Sequence, residues 1–97
     1  DIFYFEYGQN RRVKLVATTG TWYLSSSMKS LEKQMQSYGF LVPHKSFLVN
    51  PGQILSFGTE IEMKNHEMIP IAKNRRKQVH EQISTYLHNS LNINWRD

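Results

Sequence analysis

The sequence contains no cysteine. This absence excludes a disulfide framework, a cysteine-ligated zinc site and thiol chemistry, and it is compatible with a cytoplasmic location. The chain also lacks an apolar run of the roughly 20 residues that a membrane-spanning helix requires. Its N-terminus has no charged segment followed by an apolar one, as a signal peptide would. We therefore expect a protein without a membrane partner.

Motifs of catalysis are missing as well. The sequence has no glycine-rich phosphate loop and no nucleophile motif. His44 and His66 lack the close spacing of metal ligands on one element, and "NHE" at 65–67 is typical of a hairpin turn. A hydrolase that uses His44, His66 and Glu67 is therefore the least favoured class of function. We expect no enzyme activity, no catalytic residue, no metal and no cofactor.

What the chain does contain is enough apolar material for one packed domain. Hydrophobic residues make up 39% of the 97 residues, with five Phe, five Tyr and two Trp. A chain this short rarely forms two cores, so we expect a single domain over residues 1–97. The sequence opens on Asp1, without Met, and runs directly into the strand-like "DIFYFEY". We therefore also expect a fragment of a longer protein.

Alternating and β-branched segments predict strands in both halves of the chain. They are "IFYFEY" at 2–7, "RVKLVAT" at 12–18, "TWYLS" at 21–25, "QILSF" at 53–57, "IEMK" at 61–64 and "MIPIA" at 68–72. Short connections favour antiparallel pairing of the first three strands and a hairpin of the last two. Pro70 has no N–H to donate and indicates an edge strand.

Two segments change to a helical period. The first follows serines that offer an N-cap and precedes Gly39, which offers a C-terminal stop; its spaced residues are Met28, Leu31, Met35 and Tyr38. We assign its outer face to scaffolding because the composition is ordinary for a solvated surface: Lys29, Glu32, Lys33 and Gln36. The second helix is predicted from about Asn74 to Leu87 or slightly beyond, and the tail 88–97 is ambiguous. The fold class is therefore mainly β.

The chain is basic, with 12 Lys and Arg against 8 Asp and Glu, a net charge of +4 and a pI of about 9.5. Such a balance favours polyanionic partners. Four cations fall in "KNRRK" at 73–77, where the last strand meets the last helix. Cations at a helix N-terminus cost up to about 1 kcal/mol each, so their crowding favours an external anion such as phosphate. The alternative is that Asn74 caps the helix and the arginines are simply solvated.

Two more basic clusters lie in predicted loops. One contains Arg11, Arg12 and Lys14. The other interrupts the apolar stretch "FLVPHKSFLVN" at 40–50, where we interpret Pro43 as releasing His44, Lys45 and Ser46 from the sheet. The alternatives are an edge-strand bulge without a ligand, a partly buried His44 and a local turn closed by Ser46. Three loops that present long hydrogen-bond donor side chains are suited to contacting the phosphate backbone of a nucleic acid and the base edges that lie between the phosphates.

Several segments resemble the LytTR DNA-binding domains of bacterial response regulators. "FLVPHKSFLVN" matches the family signature "F-x-x-x-H-R-S-[FY]-[LV]-V-N", with Lys45 in place of the usual Arg. "DIFYFE" at 1–6 is similar to "D-I-x-Y-x-E", "SMKSLEKQM" at 27–35 to the helix "S-L-x-x-L", and "IPIAKNRRKQV" at 69–79 to "I-P-[IV]-S-R-x-R-x-x-V". The resemblance covers nearly the whole chain.

The resemblance implies an elongated arrangement of small antiparallel sheets with two short helices, in which loops enter successive major grooves of double-stranded DNA. The family's base-contacting positions carry over to Arg12 or its neighbour Arg11, to Lys45, and to Asn74 with Arg75 beside it. We expect Arg12, Lys45 and Asn74 to contact bases. Phosphate or flanking contacts would come from Arg11, His44, Ser46, Lys73, Arg75 and Lys77.

The same resemblance implies a cytoplasmic transcription regulator of a bacterial two-component system, with an upstream receiver domain and a homodimer on a repeated DNA site. Two positions depart from the family pattern. Lys45 lacks the planar fork that Arg offers to guanine, so its base contact is expected to be weaker or shifted to phosphate. Asn74 stands where many members have Arg, and Asn pairs more naturally with adenine. The target sequence therefore does not transfer from relatives.

A rival class of function is an RNA or single-strand binding module, because many aromatic residues accompany the basic ones. Most of these aromatics lie on predicted strands with core-like periodicity. That placement favours duplex DNA as the partner.

Overall fold

The computed structural model describes residues 1–95. Eight strands are formed: β1 (Ile2–Tyr7), β2 (Val13–Ala17), β3 (Gly20–Leu24), β4 (Leu41–His44), β5 (Phe47–Val49), β6 (Ile54–Phe57), β7 (Glu60–Met63) and β8 (Met68–Pro70). The α-helices are α1 (Met28–Met35) and α2 (Arg76–Trp95). Short 3-10 turns cover Gln9–Arg11, Gln36–Tyr38, Pro51–Gln53 and Lys73–Arg75.

The strands pair into two antiparallel sheets. The large sheet has the order β3-β2-β1-β5-β4, and the small sheet has the order β6-β7-β8. As predicted, the first three strands are antiparallel neighbours, and β7 and β8 form a hairpin. Pro70 lies in β8, at the edge of the small sheet, which confirms the prediction made from its missing N–H.

Both faces of the large sheet are covered. On one face Phe5, Val13 and Leu48 pack with Leu31 of α1. The other face packs against the small sheet and α2, through a cluster that contains Phe3, Tyr4, Val16, Leu41, Val49, Ile61, Met63, Ile69, Ile71, Val79 and Ile83. Burial of this apolar surface is the main source of stability, and it fixes both helices against the sheet.

The first helix follows its sequence signals. The Ser27 hydroxyl accepts a hydrogen bond from the Ser30 backbone N–H at 3.0 Å, which confirms the predicted N-cap. After the 3-10 turn the chain reverses at Gly39, whose φ of 78° lies in the left-handed region that glycine tolerates.

The second helix begins two residues after the predicted start at about Asn74 and extends well beyond the predicted end at or slightly after Leu87. A 3-10 turn occupies Lys73–Arg75, and α2 then continues to Trp95. The tail has few apolar residues and gave no periodic signal, yet no glycine or proline follows Pro70, so nothing interrupts the helix. Helix and strand contents are consequently similar. The domain is elongated, with extents of 50 × 30 × 25 Å, and no helix within residues 1–95 is long and apolar enough to cross a bilayer.

Candidate nucleic-acid interface

The loop between β1 and β2 presents two arginines in a constrained backbone. The Gly8 N–H donates to the Arg12 carbonyl at 2.9 Å, which closes the loop. Asn10 and Arg11 have φ values of 62° and 57°, in the left-handed region that L-residues other than Asn and Asp seldom adopt. Arg11 and Arg12 are both exposed. The fold therefore holds these arginines at the surface despite a local backbone cost.

The segment interpreted as released from the sheet is instead a tight hairpin turn. His44 of β4 pairs with Phe47 of β5, so Lys45 and Ser46 form a two-residue connection. The Ser46 N–H donates to Nδ1 of His44 at 3.1 Å, and the Ser46 carbonyl accepts from the Tyr7 N–H at 2.9 Å. Lys45 is exposed at the tip of this turn, whereas His44 is half-buried.

The proposed role of Pro43 was wrong. Pro43 stays within β4 and is fully buried, and His44 stays in the strand with it. Because β4 is an edge strand, a missing N–H is tolerated there, and the pairing with β5 shifts register between Leu41 and His44. The alternatives of an edge-strand irregularity, a hydrogen-bonded His44 and a local turn at Ser46 describe the backbone correctly.

The start of α2 is fastened to the same hairpin. The Ala72 N–H donates to the Pro43 carbonyl at 2.8 Å, and Nη1 of Arg75 donates to the Val42 carbonyl at 3.2 Å. The residue at the N-cap of the 3-10 turn is Ala72, which makes no side-chain cap, so Asn74 does not cap this turn. Asn74 is exposed, and Arg75 is half-buried.

These contacts bring the three basic segments to one end of the large sheet. Tyr7 pairs with Val13 and Glu6 pairs with Phe47, so the 8–12 loop and the 45–46 turn leave the sheet at the same end. The bond from Ala72 to Pro43 adds the 73–77 segment beside them. We call residues 8–12, 45–46 and 73–77 the basic end.

The cations of the basic end have no carboxylate partner among residues 1–95. Within residues 1–95 the only ion pair joins His66 and Glu62, at 3.0 Å, and no Lys or Arg takes part in one. Unpaired cations clustered at one end attract polyanions, because they keep the charge that an internal ion pair would neutralise.

The sequence analysis gave no individual role to Arg76, which lies within the basic end, or to Tyr23, which lies beside it. Nε of Arg76 is buried without a hydrogen-bond partner in the described part of the chain, although Arg76 was visible as one of the four cations of "KNRRK". Tyr23 is 60% exposed on β3 and lines a groove of about 350 Å³ with Arg12 and Lys14. The prediction that strand aromatics belong to the core was wrong for β3, where Trp22 is also 48% exposed.

The residues considered for an enzyme have structural roles instead. His66 and Ser56 hydrogen-bond to Glu62, and these bonds lower the pKa of that carboxyl. Glu67 accepts a hydrogen bond from the Tyr4 hydroxyl, and burial, followed by this bond, raises the pKa of Tyr4. No group of three His, Asp or Glu side chains in residues 1–95 is arranged to hold a metal.

Comparison with known families decides what kind of domain this is. A family model described as the LytTr DNA-binding domain matches residues 1–84. The chain belongs to this family. LytTr domains are DNA-binding and non-catalytic, so family membership confirms the prediction that the domain is not an enzyme, and it makes DNA the partner of the domain.

A solved structure supports the LytTr fold. It is described as the LytTr DNA-binding domain of a methyl-accepting/DNA response regulator from Bacillus cereus, and it superposes with a TM-score of 0.73 at 19% sequence identity. The match covers 84% of this chain and 80% of that one. At this identity the likeness concerns the fold, and it confirms the predicted arrangement of antiparallel sheets with two helices. No curated protein sequence matches the chain significantly.

Proposed function

We propose that this LytTr domain binds double-stranded DNA in a sequence-specific manner, with the segments of its basic end entering successive major grooves. The observation that carries the proposal is the convergence of three cationic segments on one end of the large sheet, where none of their cations pairs with a carboxylate of the described residues. The three segments would contact the phosphates and the base edges of a duplex in alternation.

The proposed contacts fall into two groups. Arg12, Lys45 and Asn74 are exposed, one in each segment, and we assign them to base edges. Phosphate or flanking contacts are assigned to Arg11, His44, Ser46, Lys73, Arg75 and Lys77. His44 and Arg75 also bond to the protein, so each would position its segment as well as approach the DNA backbone.

The regulator context is proposed on the same basis. The Bacillus cereus domain is described as part of a response regulator. We extend this to an upstream receiver domain and to a homodimer on a repeated site. Titration of a duplex with one half-site and a duplex with two would test the dimer, since only a repeat bound by two copies gives a doubled stoichiometry and cooperative binding.

The first test is fluorescence anisotropy of the domain with a duplex selected from a random library, beside a scrambled duplex, across a salt series. The expected result is a steep loss of affinity with salt, near 0.9 per phosphate in the log–log slope, and at least about a thousandfold preference for the selected duplex. Equal and weak binding to both duplexes would contradict the proposal.

Lys45 provides the sharpest variant. Lys45→Ala should cost about 1–3 kcal/mol on the selected duplex and relax the preference at one base position, because an exposed turn residue loses only its DNA contact. Lys64→Ala is the matched control: it removes the same charge from an exposed position in the β7–β8 turn, away from the basic end. Equal losses on selected and scrambled duplex for Lys45→Ala would show a phosphate role instead of base reading.

One observation favours single-strand binding as a second candidate. Tyr23 is exposed beside Arg12 and Lys14 in a groove that Glu6 also lines, and an aromatic face next to cations is suited to stacking unpaired bases. A single strand of the selected sequence should compete with the duplex if this candidate holds. If only the duplex competes, the single-strand function is ruled out.

A further inference from the structure

A second cationic surface lies between the two helices. A groove of about 460 Å³ separates α1 from α2 over β4, and its cationic lining consists of Lys29 and Lys33 from α1 and Arg75 from the 3-10 turn that precedes α2. We call it the α1–α2 groove. Phe40 and Val42, which are half-buried, also line it. This surface was assigned to scaffolding from the sequence.

The charges in this groove are available to a ligand. Glu32 is the only carboxylate among the lining residues, and it forms no ion pair within 4 Å with Lys29, Lys33 or Arg75. Lys29 and Lys33 are one helical turn apart, so both ammonium groups lie along the same wall. Both side chains are exposed. The groove therefore carries a net positive charge that the protein leaves unneutralised.

The groove is continuous with the basic end. Arg75 belongs to both surfaces, and its bond to the Val42 carbonyl fixes the wall that they share. Leu24, at the end of β3, pairs with Val13, directly after the 8–12 loop, so the chain enters α1 at the same end of the large sheet. Lys29 lies in the first turn of α1, and that turn has no acidic residue.

Charge also changes along the space between the helices. Beyond the cationic section a neighbouring groove is lined by Gln36, Gln78, Gln82 and Glu81 without any Lys or Arg. An anion that enters from the basic end would thus bind near Lys29 and Lys33, and it would gain little electrostatic stabilisation by moving on into the neighbouring groove. This gradient fits the edge of a duplex that already lies across the basic end.

We propose that the α1–α2 groove binds the sugar-phosphate backbone of the same duplex, in the sequence flanking the site that the basic end contacts. This inference rests on the proposed duplex binding. Lys29 and Lys33 would each neutralise a flanking phosphate, and Arg75 would connect the flanking contact to the central one. Such contacts add affinity without adding sequence preference.

The test uses the double variant Lys29→Ala/Lys33→Ala, with Lys64→Ala as the charge control and duplexes with and without several flanking base pairs. On the long duplex the variant should show a log–log salt slope smaller by about 1.8, so that its affinity falls about tenfold less than that of the wild type between 50 and 200 mM salt. On the short duplex the double variant and the wild type should bind alike. Thermal melting of the variants checks that they remain folded.

Each outcome decides between the two proposals. An unchanged slope on the long duplex, when the wild type binds selectively, overturns the flanking contact and leaves the proposed function standing. A wild type that binds no duplex selectively overturns the proposed function and this inference with it. Equal weakening on long and short duplexes would make Lys29 and Lys33 part of the central contact and would likewise overturn the flanking role.

Discussion

The basic end and the β7–β8 turn of the small sheet differ in whether their charged groups have partners within the protein. At the β7–β8 turn Glu62 bonds to His66 at 3.0 Å and to Ser56 at 3.2 Å, and Glu67 accepts from Tyr4. At the basic end no cation pairs with a carboxylate of the part of the chain that the structure describes. The chain has eight acidic residues, so the missing ion pairs do not result from a shortage of carboxylates. The difference teaches that local pairing accounts for the charged groups at the β7–β8 turn, whereas the cations of the basic end remain available for the proposed contact with DNA.

The largest expected effect separates stability from binding. Ile69→Ala in β8 removes a side chain that is 1% exposed and lies in the cluster joining the two sheets, so unfolding free energy should fall by about 2–5 kcal/mol. Lys77→Ala at the basic end should change it by no more than about 0.5 kcal/mol yet weaken binding to every duplex. Urea unfolding and anisotropy measure the two quantities. Comparable stability losses for both variants would contradict the distinction between residues that stabilise the small sheet and cations that leave stability unchanged at the basic end.

Asn50 should give the next largest effect, at the end of the large sheet opposite the basic end. Its Nδ2 donates to the Ile2 carbonyl at 2.7 Å, and its Oδ1 accepts from the Gly52 N–H at 3.0 Å. Asn50→Ala leaves both backbone groups without these partners, at a cost of about 1–3 kcal/mol in urea unfolding. Ser46→Ala is the control, because only the backbone of Ser46 bonds to the protein here and stability should hold.

Tyr4→Phe tests pairing beside the β7–β8 turn. Loss of the hydroxyl that donates to Glu67 should cost about 1 kcal/mol. Because burial and Glu67 raise the pKa of Tyr4, the fold favours the neutral phenol. Stability from this group is therefore complete below the ordinary tyrosine pKa of about 10 and declines as pH rises above it. Unfolding curves at alkaline pH should show this decline in the wild type and a smaller one in the variant.

The smallest effect concerns Glu62. Hydrogen bonds from His66 and Ser56 lower the pKa of its carboxyl, so the fold favours the ionised form. This contribution is present above the ordinary glutamate pKa of about 4.3 and is lost as pH falls below it. Glu62→Gln should slightly flatten the acid side of the stability profile, and Glu60→Gln serves as the neighbouring control. Identical acid profiles for wild type and Glu62→Gln would show that this pairing contributes nothing measurable.

Sequence patterns were sufficient where the signal is local. The strands β1 and β2, the serine cap at Ser27 and the stop at Gly39 each depend on neighbouring residues, and each was predicted. The position of Pro70 at a sheet edge also follows from one property of proline. The three basic clusters were identified in the sequence from their Lys and Arg residues.

What the sequence could not supply is set by contacts between distant residues. Pro43 looked like a break because nothing local says that β4 lies at an edge and that the Pro43 carbonyl binds the Ala72 N–H. The exposure of Trp22 and Tyr23 depends on β3 being the other edge of the large sheet. Convergence at the basic end likewise follows from strand register, which charge alone does not specify.

The hydrogen bonds around the 45–46 turn bear on the entropy of binding. Ser46 is fixed to His44 through its N–H and to Tyr7 through its carbonyl, so the backbone that carries Lys45 is ordered before any DNA arrives. Ordering a residue's backbone costs about 1–2 kcal/mol, and that cost falls on folding instead of on association. In the proposed complex with DNA, Lys45 would then lose only the rotational freedom of its own side chain.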